Sequence, residues 1–379
     1  MKECFVIMPI GSGDAYETYH NRYKHIIEPA VQDLKIDGEQ VFRSVRADFV
    51  SKSGSITRDL LTRLYRSAAV IADLTDLNPN VFYELGVRHA LRSGTILIAL
   101  KGTKPPFDVG DLRVIPYEDR VGAEKEAIPQ IQEILKSLLE SELPIDSPVL
   151  HAIPQLSELG EVKEYEARLT SIERDREVLR AQLDISERAN LANQGTLEAL
   201  RKAIENLIRQ LSEPERRKAA ESFESMVQKR KENIEISPAA KLRDVEVDRE
   251  SIFVLMPLGQ KLEPIYDVIQ QAAQKAGLRT MRADQILAGG SILDQIFENI
   301  AHSGLIIADL TGRNQNVMYE LGIANTMGKK TLLLAQNIEE VPFDVRHQRV
   351  LVYDMSFKDV KILEEKLIAS FKQYIDDEG

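Results

Sequence analysis

Ile71-Ala-Asp-Leu-Thr-Asp-Leu-Asn-Pro-Asn-Val-Phe-Tyr-Glu-Leu-Gly86 runs from an apolar stretch through a polar turn into a helical pattern. The chain repeats it as Ile307-Ala-Asp-Leu-Thr-Gly-Arg-Asn-Gln-Asn-Val-Met-Tyr-Glu-Leu-Gly322. Each is the strand–turn–helix half of a βαβ unit. Outward from this pair the register holds at 236 positions: Arg46 matches Arg282, Ser55 matches Ser291, Asp108 matches Asp344 and Tyr117 matches Tyr353. Phe5-Val-Ile-Met-Pro-Ile-Gly11 also returns, as Phe253-Val-Leu-Met-Pro-Leu-Gly259, but 248 positions on. The first copy therefore holds a net twelve extra residues between Gly11 and Arg46. They are expected in loops, around Ser12–Asn21 and near Asp37–Gln40, because a sheet core cannot absorb them.

In the first copy Cys4–Ile10, Val41–Val45, Ala69–Asp73, Ile96–Leu100 and Arg113–Tyr117 read as strands. Helical spacing lies between them at Tyr23–Leu34, Ile56–Ser67 and Val81–Arg92. Near-continuous apolar strands alternating with helices predict a parallel sheet covered on both faces. The fold class is α/β: two flavodoxin-like, five-stranded parallel-sheet domains joined by an α-helical coiled-coil segment. Domain boundaries follow at 1–142 and 251–379, with a linker at 143–160 and the helical region at 161–250.

The middle of the chain differs in composition. Leu143–Leu156 contains three prolines and reads as a linker or a surface strap. Val162, Tyr165, Leu169, Ile172, Leu179 and Leu183 fall at three-and-four spacing, and Leu197, Leu200, Ile204, Leu207 and Leu211 resume it after Gly195. With dense flanking charge this is a coiled-coil signature, giving a homo-oligomer through residues 161–233. A helical hairpin broken at Asn190–Gly195 fits the same spacing.

Composition narrows the function classes. Of 379 residues 43% are hydrophobic, enough for sizeable cores. One cysteine, Cys4, excludes an intrachain disulfide framework and a cysteine-based zinc site, and fits the cytoplasm. No apolar run reaches membrane-spanning length, and no signal peptide is visible, so no membrane association is expected. A net charge of −11 argues against direct nucleic-acid binding but leaves room for a small nucleotide or nucleoside. The six histidines form no matched pair between the copies, so no shared histidine triad or metal site is expected, and no cofactor.

The matched polar residues therefore carry the chemistry. Asp73 and Asp309 end apolar strands, at the edge where such sheets bind ligands. Asn78 and Asn314 are N-caps of the following helix. Glu84 and Glu320 are expected near the end of its first turn, each eleven residues after its aspartate. Two carboxylates per copy thus face one crevice, with the helix dipole favouring an ionised glutamate. Such a group acts as a nucleophile or shields a cationic carbon. The aspartates also suit a capping role for the turn. Around them, Met8, Pro9, Gly11 and their counterparts Met256, Pro257, Gly259 sit at the end of the first strand. The glycines suit either a close backbone approach to a ligand or a tight turn. Asp48 and Asp284 follow the second strand. Ser55 and Ser291 cap the next helix first and contact a ligand second. Asn80, Tyr83, Asn316 and Tyr319 open the glutamate helix. Asp108 and Asp344 precede the fifth strand and are expected to line the same pocket, each in its own copy; just beyond them Arg346 matches Gly110.

With Met-Pro-x-Gly, Arg-Ala-Asp, Gly-Ser-Ile, Ala-Asp-Leu-Thr and Asn-x-Asn-Val-x-Tyr-Glu-Leu-Gly in both copies, the terminal thirds resemble nucleoside 2-deoxyribosyltransferase-like domains. More closely, they resemble TIR-like bacterial domains. The resemblance implies a Rossmann-like fold and chemistry on the N-glycosidic bond of nucleosides, nucleotides or NAD, NAD hydrolysis foremost and base exchange second. It gives Glu84 and Glu320 the attack on C1′ or the ribose, and Asp73 and Asp309 the positioning of sugar or base. It implies sites completed by a neighbouring subunit or domain, and roles in signalling or antiviral defence. A nucleotide-sensing scaffold without catalysis fits the same residues. The Gly110/Arg346 difference fits one active and one regulatory copy.

Overall fold

The computed structural model describes residues 1–47, 56–139, 146–153, 156, 245–259, 261–286, 291–342, 345–346 and 348–378. They belong to one compact unit formed by Met1–Ser157 with Pro238–Gly379. Asp48, Ser55 and Asp344 lie outside the described residues, as does the expected coiled coil with its oligomer contact up to residue 244.

The first domain holds β1 (Lys2–Ile7), β2 (Phe42–Arg46), β3 (Ala69–Asp73), β4 (Thr95–Leu100) and β5 (Val114–Tyr117). They lie in the order β2-β1-β3-β4-β5, all parallel. The second holds β6 (Asp248–Leu255), β7 (Arg279–Arg282), β8 (Ser303–Asp309), β9 (Lys330–Ala335) and β10 (Val350–Val352). Its order, β7-β6-β8-β9-β10, is the same parallel arrangement. This is the flavodoxin order, with its switch point between the first and third strands. β6 begins three residues ahead of the expected boundary at 251. β1 stops at Ile7 rather than Ile10, since Pro9 has no N–H for a ladder.

Helices cover both faces, which explains strands apolar on both sides. On one face of the first sheet, Cys4, Val6 and Met8 pack with Tyr23, Ile27, Val31, Ile131 and Leu135. The helical partners come from the π-helical turn Tyr23–Ile27, α2 (Glu28–Gln32) and α5 (Glu124–Ser137), and α1 (Asp14–Arg22) adds the partly buried Tyr19. In the second domain α7 (Glu263–Lys275) and α10 (Phe357–Glu378) play that part. The opposite faces carry α3 (Ile56–Arg66) and α4 (Pro79–Leu91), and α8 (Ile292–His302) and α9 (Gln315–Thr326).

The extra residues of the first copy are placed differently from the loop expectation. Ser12–Asn21 is mostly helix α1, so the insertion lengthens a helix by two turns and adds the π turn. Helices absorb insertions at a free end, and a π turn accommodates a single added residue. The remainder is the small antiparallel ribbon pairing Lys35–Ile36 with Glu39–Gln40.

α4 and α9 pack directly on each other, so the two domains dock through the glutamate helices. The contact is reciprocal, as in an isologous dimer interface. A Cβ on Gly86 would sit 2.1 Å from the Tyr319 carbonyl oxygen, and one on Gly322 would sit 2.3 Å from that of Tyr83. The Tyr319 hydroxyl lies 2.7 Å from His89 Nδ1, and Asn325 Nδ2 donates to the Tyr83 hydroxyl at 3.2 Å. Asn325 stands 236 positions after His89, so even the non-identical pair occupies equivalent places. Part of the expected linker is also docked structure. Asp146 accepts from the Gly94 and Thr95 N–H groups, Ser147 donates to the His89 carbonyl at 2.6 Å, and α6 (Pro148–Ala152) packs on both α4 and α8. Among the described residues no helix is long and apolar enough to cross a membrane.

Candidate active site

The glutamate helices start where Asn caps predict. Asn78 Oδ1 accepts from Asn80 N and Val81 N, and Asn314 Oδ1 from Asn316 N and Val317 N. Before each cap a single turn of 3-10 helix is closed by left-handed residues: Asp76 and Leu77 in one copy, Gly312 and Arg313 in the other. Glu84 and Glu320 are the sixth residues of α4 and α9. They lie in the second turn, where the helix dipole has largely faded.

In the second domain a cavity of about 450 Å³ opens at the switch point. Glu320, Asn316, Asp284, Met256 and Pro257, all singled out in the sequence, line it together. Val254, Leu258, Ile286, Ile292, Ile296 and Val317 make the rest of the wall largely apolar. Phe107 and Asp108 close it from the first domain. The expectation placed Asp108 in the crevice of its own copy; the structure puts it across the interface in the other. Docking of α4 on α9 decides this. The turn Phe107–Val109 packs on α9, held on the stiff pair Pro105-Pro106.

Electrostatics in the cavity are dominated by burial. Glu320 is 6% exposed, and its carboxyl is held well above the usual range, by desolvation first and by Asp108 second. Asp108 is 2% exposed and is pushed up to about 7 by burial. The expected dipole-ionised glutamate is therefore corrected: burial disfavours its charged form, because desolvation outweighs a dipole one turn away. Asp108 Oδ2 and Asn316 Oδ1 are buried without hydrogen-bond partners, as is Asn80 Oδ1 in the first domain. Orphaned polar atoms of this kind are costly unless something binds them.

Arg282 does not offer its charge to a ligand. Its guanidinium takes Asp284 through two bonds of 2.7 and 2.6 Å and Glu263 through two of 3.1 and 2.7 Å, and stacks 4.2 Å from the Tyr266 ring centroid. Asp284 is held below its usual range by that arginine. The sequence pattern marks Arg282 only as the match of Arg46 and does not mark Glu263, because the fork joins residues 19 positions apart. In the first domain Arg46 is buried between the Tyr16 and Tyr23 rings, at 5.5 and 5.1 Å.

Asp73 and Asp309 do not face the crevice with the glutamates. Both are fully buried in matching locks. Asp73 accepts from Thr75 N at 3.0 Å, Thr75 Oγ1 at 2.6 Å and the Tyr117 hydroxyl at 2.8 Å. Asp309 accepts from Thr311 N at 3.0 Å and the Tyr353 hydroxyl at 2.7 Å. Burial raises both carboxyls while these hydrogen bonds oppose it. The capping role accounts for them; the matched Thr and Tyr, 44 residues apart from the aspartate in the tyrosine's case, were the signal for it.

Tyr83 and Tyr319 serve the domain interface described above. Ser291 caps α8 through Asp294 N at 3.3 Å. Gly11 and Gly259 take positive φ, and Gly11 turns tightly under Ala15 and Tyr19. Met8 and Pro9 are buried at the end of β1, and Arg346 is turned to the Val341 carbonyl at 2.8 Å. Glu84 is 8% exposed. The Cys4 thiol is buried and pushed up to about 12, so it is no nucleophile. No cluster able to hold a metal occurs among the described residues.

No protein-family model matches the chain, and no curated protein matches it either. One solved structure similar to part of it is a 2-desoxiribosyltransferase from Leishmania mexicana. That likeness has 18% identity and a TM-score of 0.24, and covers 30% of this chain and 97% of that one. A likeness at that level is too distant to bear on site or activity.

Proposed function

We propose that the second-domain cavity cleaves the N-glycosidic bond of a nucleoside or nucleotide, with water as the acceptor. The observation that carries the reading is Glu320 at the wall of a largely apolar cavity, beside an Asn316 amide oxygen that is buried without a hydrogen-bond partner. Breaking C1′–N develops positive charge on the sugar. A carboxylate beside it stabilises that charge or captures the carbon. The motif resemblance of both copies supports the same chemistry.

The lining also bears on substrate charge. Asp108, Asp284 and Glu320 face the cavity, and its described cation, Arg282, is already shared by two carboxylates. Phosphate is poorly served there. An uncharged nucleoside, or the cationic nicotinamide riboside end of NAD, suits it better. A cationic base also favours ionisation of Glu320, since an opposite charge offsets desolvation. Mass-spectrometric assay against NAD, nicotinamide riboside and common nucleosides tests the reading. Turnover is expected, with loss in Glu320→Gln. Absence of turnover, or turnover unchanged in a Glu84→Gln, Glu320→Gln double variant, refutes it.

Binding without cleavage is the second reading, favoured by the desolvation that disfavours a charged Glu320. Calorimetric binding of a nucleoside with no product formed would select it.

A further inference from the structure

We propose that Asp108 is the proton donor of the second-domain cavity, so that one domain supplies the acid and the other the nucleophile. The inference rests on the N-glycosidic reading above and goes one step further, to the leaving group. Three observations carry it. Asp108 and Glu320 line one cavity from opposite domains. The Asp108 side chain is nearly fully buried, yet its Oδ2 has no hydrogen-bond partner. Nothing in its own turn requires a carboxylate, since the Phe107–Val109 turn is closed by backbone bonds from Val109 N and Gly110 N.

Two carboxyl groups in a desolvated cavity readily carry one negative charge and resist carrying two. Such a pair shares one proton; positive charge developing at C1′ beside Glu320 favours the carboxylate there and leaves the proton on Asp108, the inventory a two-carboxylate glycosidase needs. In the first step a Glu320 carboxylate oxygen forms a bond to C1′ while the C1′–N bond breaks. The electron pair goes to the base nitrogen, and the Asp108 carboxylic acid gives its proton to the departing base. In the second step Asp108, now a carboxylate, takes a proton from water as the water oxygen bonds to C1′. The C1′–Glu320 bond breaks and returns the glutamate carboxylate. Net consumption is one substrate and one water, yielding free sugar and protonated base, with Asp108 reprotonated.

Proton donation matters only when the leaving base needs a proton. A purine leaves a neutral nucleoside as an anion unless protonated. Nicotinamide leaves its riboside as a neutral molecule. Asp108→Asn keeps shape and removes the acid, so it separates the two cases. The expected result is a loss in kcat/KM of about 100-fold or more with inosine or adenosine, the usual worth of general acid catalysis. For nicotinamide riboside, kcat/KM, which reports only the first step, should stay within about fivefold while kcat falls, because the second step still uses Asp108 as base; circular dichroism reports a correctly folded chain. Asp108→Glu, which keeps the acid, should retain at least about tenfold more of the neutral-substrate rate than Asp108→Asn. Equal losses in kcat/KM on both substrates, no loss in kcat/KM on the neutral one, or cleavage of the cationic substrate alone by the wild type overturns the assignment while leaving the glycosidic reading intact. If the wild type cleaves neither, the glycosidic reading itself falls and this assignment falls with it.

Discussion

Replacing Gly86 by alanine sets two known effects against each other. Gly86 lies inside α4, and alanine in a helix interior is worth about 1 kcal/mol over glycine. On helix propensity alone the variant should be more stable. The interface reverses that sign. The new Cβ would stand 2.1 Å from the Tyr319 carbonyl oxygen, 3.0 Å from its carbonyl carbon and 3.2 Å from its Cα. A carbon and an oxygen need a little over 3 Å, and the obstacle is backbone, which cannot swing aside. α4 and α9 must therefore separate by about 1 Å along their contact, a gap that forfeits a quarter to a half of the dispersion well for each facing pair. Overpacking of this kind costs about 1–3 kcal/mol, and rigid backbone puts it at the upper end. The net expectation is a loss of about 2 kcal/mol despite the better helix former. Gly322→Ala meets the Tyr83 carbonyl at 2.3 Å and should behave alike. Urea denaturation of both variants at neutral pH measures this. Because the same contact places Asp108 over Glu320, activity should fall in parallel. A Gly86→Ala protein as stable as wild type, or more so, refutes the close-approach account of the interface.

Other outcomes follow from the site. Tyr353→Phe removes the hydroxyl that donates to Asp309 at 2.7 Å and leaves a buried carboxyl short of a partner, so it should cost about 1–3 kcal/mol in thermal or urea unfolding. Asp108→Asn should change stability with pH in a defined direction. Folding raises the Asp108 carboxyl from 3.8 to about 7, so its favourable contribution is complete below the unfolded value and is lost as pH climbs through about 7. Relative to wild type the variant should gain stability between about pH 4 and 7, by at most about 4 kcal/mol at 1.36 kcal/mol per unit, read from paired urea melts. Arg282→Lys loses the fork that spans Asp284 and Glu263 and should destabilise by about 1–3 kcal/mol, with the melt again the measurement.

What the sequence by itself determined is local or periodic. The 236-position repeat, the apolar strands, the Asn78 and Asn314 caps and the placing of Glu84 and Glu320 in the following helices depend on neighbours a few residues away. Spacing reads such features directly. Met256, Pro257, Asp284, Asn316 and Glu320 converge because strand ends and helix starts of one parallel sheet share one edge. Three things only the tertiary structure decided. Asp73 and Asp309 turn inward because Tyr117 and Tyr353, 44 residues on, offer each a hydroxyl in a dry environment. The matched tyrosines and glycines of Tyr-Glu-Leu-Gly hold two domains together, since helices without a Cβ at the crossing can touch backbone to backbone. Asp108 serves the other copy's cavity, because docking of α4 on α9 carries its turn across the interface. A repeat in sequence shows that two domains share a fold. How they meet depends on surfaces hundreds of residues apart, and that meeting builds the site.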